Sequence, residues 1–436
     1  MINRVLLGAF ALFVFILPIP GTIALRHFLT LVLLCLCGIT IRKEAIGVAD
    51  LAKRAKPLLL TLALITTWLL LQAGTISQET TWAMKEIANQ WLPALLMAGL
   101  GIGVASAWTK AGWRRTEVLG LLASCMLAQV LASLLAVLPM YLADGSVPQA
   151  KTWFTAGKLE VSYWNNLLLA LLAVDALSRW LYRSAITNLP LFGVVIGVLL
   201  VVVSNIAFGA RAGVIGSGLL IVSLSLLVLW HERARLGAKR VAGFMFAAAL
   251  LLISLATISY RFDARWATFA ETAEIAWAQR GGDAWLNPDE IPTPNLASGV
   301  AAEASAYHRI SWIRAGLDLV ADYPLGVGYG RNAFGHALKK TNETRLGHAH
   351  SGIIDWTVGT GLPGLVLWLG LLGSLLALGL RRYFRKQDTA GLVLVFAVGG
   401  FFGRMLIDSI NRDHMLMLFF LILGMLVALP EESADS

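Results

Sequence analysis

Charge is scarce in this chain. Only 14% of its 436 residues are Asp, Glu, Lys or Arg, where a soluble domain carries about 25%, so its apolar content cannot be wrapped in an ordinary water-exposed surface. Cysteine is sparser still: Cys35, Cys37 and Cys125 all fall inside apolar runs, and positions two apart on a helix do not share a face. That argues against a disulfide framework and against a cysteine metal site. The strings GVGYG and GTGLPG lack the lysine and hydroxyl that complete a phosphate loop, and no internal repeat is evident. No small-x-small cleavage site closes the opening MINRVLLGAFALFVFILPIPG, which is therefore read as a retained first helix.

What is present is hydrocarbon-compatible sequence. Hydrophobic residues make up 58% and mean hydropathy is +0.73, with repeated runs long enough to cross a bilayer of about 30 Å. The fold class expected is an all-α polytopic membrane protein of about 12 transmembrane helices. The spans are placed near 5–20, 24–41, 57–73, 91–108, 117–142, 164–182, 189–208, 213–230, 241–259, 353–380, 390–409 and 412–429. A net charge of +9 and pI near 9.6 do not indicate nucleic acid, because the basic residues sit in short clusters between apolar runs, where orientation signals belong. Those clusters alternate from loop to loop, as at Arg42–Lys43, Arg114–Arg115, Lys239–Arg240 and Arg381–Arg382. The alternation puts both termini in the cytoplasm and the segment after the ninth span outside it. Three regions follow: helices 1–9 over 1–259, an external helical loop domain over 260–352, and helices 10–12 with a short tail over 353–436.

The external segment holds most of the unusual chemistry. Ile310, Ile313, Leu317 and Val320 share one helical arc flanked by Arg309 and Arg314, and Pro324 with Gly326, Gly328 and Gly330 ends that helix. His350 stands where the loop enters the tenth span; near neutrality its imidazole is a natural general base, or else an interfacial histidine bonded to a backbone carbonyl. His348 makes HAH a conceivable metal pair, but no third ligand with suitable spacing is found. Arg211 lies in a very short outward turn, against the charge bias, where a guanidinium needs a partner or an anion such as phosphate; snorkelling to the interface is the alternative. Arg265, Arg309, Lys339, Lys340 and Arg345 add cations beside Trp266, Tyr307, Trp312 and Tyr329. For the lysines a solvated face is the better reading. Gly359, Gly361, Pro363 and Gly364 suggest a kink or close packing, and Asp175, Arg404 and Asp408 suggest pairs at helix ends more than an ion path.

The pattern R..SW..A...V.DYPLGVGYG followed by HAHSGIIDWTVGTGLPGL, after a long outward loop among about twelve spans, resembles the O-antigen ligase and polymerase superfamily. The resemblance implies a GT-C-like, inverting, metal-independent glycosyltransferase without a cofactor, using an undecaprenyl-diphosphate-linked glycan donor. It is closest in arrangement to the ligases that act on a sugar hydroxyl of lipid A-core at the periplasmic face of the bacterial inner membrane. It further implies His350 as catalytic base and Arg211 and Arg309 at the donor diphosphate, with Arg265, His348 and Trp312 as supporting candidates. Ser351 stands where the family commonly has Asn. An O-antigen polymerase and a protein O-oligosaccharyltransferase share donor and motifs, and a transporter or lipid flippase is the reading from another class. Membrane lipids are expected partners and nucleic acid is not; the oligomeric state is left open.

Overall fold

The computed structural model describes residues 2–44, 47, 52–144, 151–262, 268–280 and 282–431. Those residues fold as helices and connections, with one isolated bridge, Asn295 to Ala301, in place of any strand. The helices are α1 (Ile2–Ile16), α2 (Ile23–Lys43), α3 (Lys56–Thr75), α4 (Thr80–Lys110), α5 (Arg115–Asp144), α6 (Lys158–Tyr182), α7 (Leu191–Ala207) and α8 (Arg211–Leu236). They continue as α9 (Ala238–Phe262), α10 (Phe269–Trp277), α11 (Ala304–Asp322), α12 (Ala333–Leu338), α13 (Gly352–Lys386), α14 (Ala390–Ile407) and α15 (Asp413–Ala428).

Among the described residues, 8 helices are long and apolar enough to cross a membrane: α2 to α6, α8, α13 and α14. The chain is a multi-pass membrane protein. Helices also lie over the other four stretches expected to span: α1, α7 and α15 are apolar but shorter, and α9 covers Ala238–Phe262. Helices suit this solvent because each satisfies its backbone polar groups internally.

Lipid tails give little hydrophobic drive between helices, so contact depends on close packing. A Cβ on Gly101 would overlap the carbonyl of Leu421, and one on Gly424 would overlap that of Ala98. Bare backbone is what brings α4 and α15 together. Beneath the candidate site, Trp91 packs edge-on against Tyr329 and Phe420 and beside Trp356. The buried indoles find acceptors: Trp91 donates to Thr66 Oγ1 at 2.9 Å and Trp356 to the Gly364 carbonyl at 2.9 Å.

The two glycine strings serve each other. The turn after α11 docks into a break in α13, where the Val327 and Gly328 amides donate to the carbonyls of Val358 and Gly359 at 3.0 Å each. Gly361 takes φ of 72° inside the helix, and a Cβ there would overlap the Leu325 backbone. The Gln72 side chain closes the joint from α3, donating to Leu325 at 2.6 Å and Gly359 at 2.9 Å. The kink expected from GTGLPG is therefore present, and the loop segment is clamped by it.

Candidate active site

His350 directly precedes the first turn of α13. Its backbone is left-handed, φ 51°, a conformation histidine tolerates better than bulky residues, and its ring stacks on Trp312 with centroids 5.1 Å apart. Helix α11 supplies that indole because His308 and Trp312 are one turn apart and stack in turn at 5.5 Å. Trp312 is fixed by donating from Nε1 to the Trp285 carbonyl at 2.8 Å. The ring of His348 lies 4.3 Å from that of His350. Between them, the Ala349 amide donates to Asp355 Oδ1 at 2.7 Å, and Ser409 donates to the other oxygen of that carboxylate. Asp355 thus ties the HAH loop to the connection between α14 and α15.

That connection completes the site. Asp408 lies 2.7 Å from Arg404 Nη2 and 3.7 Å from Arg309 Nη2, so one buried carboxylate faces two guanidiniums. Arg404 is buried and also donates to Ser162 Oγ at 2.9 Å, whereas Arg309 keeps 40% of its side chain exposed and, among the described residues, has the Ile407 carbonyl at 3.3 Å as its other hydrogen-bond partner. A half-exposed guanidinium with one distant counterion retains donors for an incoming anion. Arg412 comes within 3.5 Å of His348 Nε2.

Both histidines are held neutral. Burial pushes the His350 imidazole down to about 4, and Arg309 and Arg412 act in the same direction. Burial likewise brings His348 down to about 3, reinforced by Arg412 and His350. An unprotonated imidazole can accept a proton throughout the neutral range. No group of three or more His, Cys, Asp or Glu among the described residues is arranged to hold a metal ion.

Arg211 opens α8 after the tight turn at Gly209–Ala210; its side chain, like all of Arg265 and Trp266, lies outside the described residues. The backbone still locates the turn. A Cβ on Gly213 would come 2.8 Å from Ser162 Cβ and 2.8 Å from Asn205 Cγ, and Ser162 is the residue that accepts from Arg404. A buried polar network continues beneath: Asn165 donates to Ser204 and Asn205 at 3.0 and 2.9 Å, and Asn205 donates to Ser217 at 3.2 Å. Beside this turn, an apolar groove of about 770 Å³ runs between α5 and α7, lined by residues such as Leu131, Leu135, Leu138, Leu200 and Val203 and reaching Gly209.

The structure thus brings His348, His350, Arg309 and Trp312 into one cluster and puts the Arg211 turn on its flank. Several other candidates play structural parts. Tyr307 is buried and donates to the Arg280 carbonyl at 2.6 Å, Tyr329 is buried in the aromatic cluster, and Arg345 pairs with Glu290 at 3.5 Å. Lys339 and Lys340 are exposed. Ser351 precedes α13, its hydroxyl 3.4 Å from the Met405 carbonyl. Asp175 is paired, with Arg179 at 3.1 Å and Thr187 Oγ1 at 2.6 Å, as a helix-end carboxylate should be.

Sequence reasoning undervalued the α14–α15 connection. DSINRD places Asp408, Arg412 and Asp413 in a very short turn at the same end of the bundle as Arg211, and the signal that singled out Arg211 applied there too.

Residues 192–369 match the family model described as O-antigen ligase. The matched stretch runs from α7 into the first half of α13 and encloses Arg211, Arg309, Trp312, His348 and His350. No curated protein matches the chain. The family match bears out the superfamily resemblance and supports a ligase- or polymerase-type, glycosyltransferase-like enzyme in a membrane.

Proposed function

We propose that this member of the O-antigen ligase superfamily transfers a glycan from undecaprenyl diphosphate to a sugar hydroxyl of lipid A-core. Reaction takes place at the periplasmic face of the bacterial inner membrane, in a twelve-span bundle whose residues 260–352 form the external domain. The observation that carries this reading is the juxtaposition of a neutral imidazole, His350, with the half-exposed guanidinium of Arg309. Base and anion holder are the two functions that displacement of a diphosphate requires.

In the proposed step a ring nitrogen of His350 takes the proton of the acceptor hydroxyl as its oxygen bonds to the anomeric carbon. The bond from that carbon to the diphosphate oxygen breaks, and its electron pair leaves with the diphosphate. Arg309 and Arg211 neutralise the charge that gathers there, in the role a divalent cation would otherwise fill. One direct displacement inverts the anomeric centre. The groove beside the Arg211 turn is apolar and long enough in volume for part of a polyprenyl chain, and confinement of both amphiphiles to one leaflet supplies proximity.

The test is reconstitution of the purified chain with lipid-linked glycan and, separately, lipid A-core, a second lipid-linked glycan or an acceptor protein, all in excess EDTA. A glycan ladder on lipid A-core is expected. Elongation of the lipid-linked glycan would make the enzyme a polymerase, and glycosylation of the protein an oligosaccharyltransferase. Activity lost in EDTA and restored specifically by magnesium or manganese would refute metal independence; no transfer to any acceptor would refute glycosyl transfer.

A further inference from the structure

Helix α13 has His350 just before its first turn and Arg385 and Lys386 in its last. At a rise of 1.5 Å per residue, its 35 residues trace roughly 50 Å of helix between these ends, across the break at Gly361. At the far end lies a cavity of about 940 Å³, walled by Arg54, His231, the end of α13 and the chain that follows α15. It belongs to no step of the proposed reaction.

Its charges are only partly matched. Lys386 is paired with Glu431. Arg382 is buried and paired with Asp388 at 2.7 Å. Arg54 and Arg385 are exposed and make no ion pair among the described residues. Among the described residues that line the cavity, positive charge is therefore in excess, concentrated in a concave site and not spread along a loop. The remaining wall is hydrocarbon, with Leu378, Val427 and Leu429 lining the same cavity. Cations beside apolar side chains at a helix-bundle end match an amphiphile with a negative head, and basic pockets between transmembrane helices take anionic headgroups on this physical basis. A soluble phosphate compound would leave the apolar wall unused.

We propose that this cavity binds an anionic phospholipid, with the headgroup phosphate between Arg54 and Arg385 and the acyl chains against Leu378, Val427 and Leu429. Guanidinium forks suit the phosphate oxygens. Bound there, the lipid joins the segment before α3 to α8, α13 and the chain after α15, fastening the bundle at the end remote from His350.

The full-length chain is tested in phosphatidylcholine nanodiscs with and without phosphatidylglycerol, and lipid retained after transfer to detergent is identified by native mass spectrometry. Wild type should retain phosphatidylglycerol in preference to phosphatidylcholine. Affinity for it should fall by about fivefold for each arginine removed in Arg54→Gln and Arg385→Gln. The pair Lys239→Gln and Arg240→Gln removes the same charge from exposed positions outside the cavity and should leave retention unchanged. Unaltered retention in the first pair, or equal loss in the second, overturns the site. Displacement of the lipid by millimolar inorganic diphosphate would show that the cavity takes soluble phosphate and overturn the lipid assignment.

Discussion

The imidazole of His350 lies 19° from parallel with the indole of Trp312, 5.1 Å away, while His348 has Arg412 as its polar neighbour. The two histidines are thus distinguished by their surroundings, with only His350 set against the α11 face that carries Arg309. His350→Ala should lower turnover by about 10²- to 10⁴-fold, the usual range for loss of a general base, and His348→Ala by much less. Turnover of purified, monodisperse variants decides the matter. If His348→Ala abolishes transfer and His350→Ala does not, the base is the other histidine.

The pH dependence follows from burial. Because His350 is lowered to about 4, the base stays unprotonated down to that region, and kcat/KM should be level from pH 8 to about 5. A half-maximal point near the ordinary histidine value of about 6.5 would contradict the assignment. Stability moves with the same sign: the unfolded chain binds protons near 6.5 and the folded imidazole only near 4. The folded state therefore loses stability progressively as pH falls through that window, which a series of thermal midpoints between pH 7 and 4 would register.

Much of this arrangement was legible in the sequence. Apolar runs located the helices, since a span needs nothing more than length and hydropathy. The spacing of Arg309 and Trp312 on one helix, and the place of His350 before a span, were local facts. What lay out of reach depended on long-range contact. Nothing local states that Asp408 would stand between Arg404 and Arg309, or that Asp355 would tie Ala349 to Ser409. Tyr307 and Tyr329 stood beside the cations of the external segment in the sequence, where nothing local shows that both are buried.

Arg309 is expected to need its shape as well as its charge. Lysine there keeps the cation but loses the planar fork that grips two phosphate oxygens. Arg309→Lys should lower kcat/KM by about 10- to 100-fold, a loss of roughly 1.4 to 2.8 kcal/mol in transition-state stabilisation. Since the side chain is 40% exposed, the melting temperature should hardly change. Wild-type kinetics in this variant would remove Arg309 from the diphosphate.

Orientation is open to direct labelling. On a background lacking Cys35, Cys37 and Cys125, Asp289→Cys should react with a membrane-impermeant thiol reagent in cells whose outer membrane has been permeabilised, and Arg381→Cys should not. Both positions are exposed in the fold, so failure to react reports the membrane and not burial. The reverse pattern would invert the topology read from the basic loops and move the His350 cluster to the cytoplasm.

The clamp between the loop segment and α13 predicts a contrast between two glycines of one helix. At Gly361, alanine must adopt φ near 72° and place a methyl group into the backbone of Leu325. Left-handed strain alone costs on the order of 1–3 kcal/mol, and a backbone obstacle cannot swing aside as a side chain can. At Gly370 a Cβ meets nothing within 4 Å, so alanine should be neutral or mildly stabilising through its better helix propensity. Thermal unfolding should therefore show Gly361→Ala several degrees below wild type and Gly370→Ala at or above it. Activity should follow the clamp, because the Leu325–Gly328 turn terminates the helix that presents Arg309 and Trp312 to His350. Equal midpoints for the two variants would mean that the break in α13 bears no strain and that the turn docks there without needing glycine.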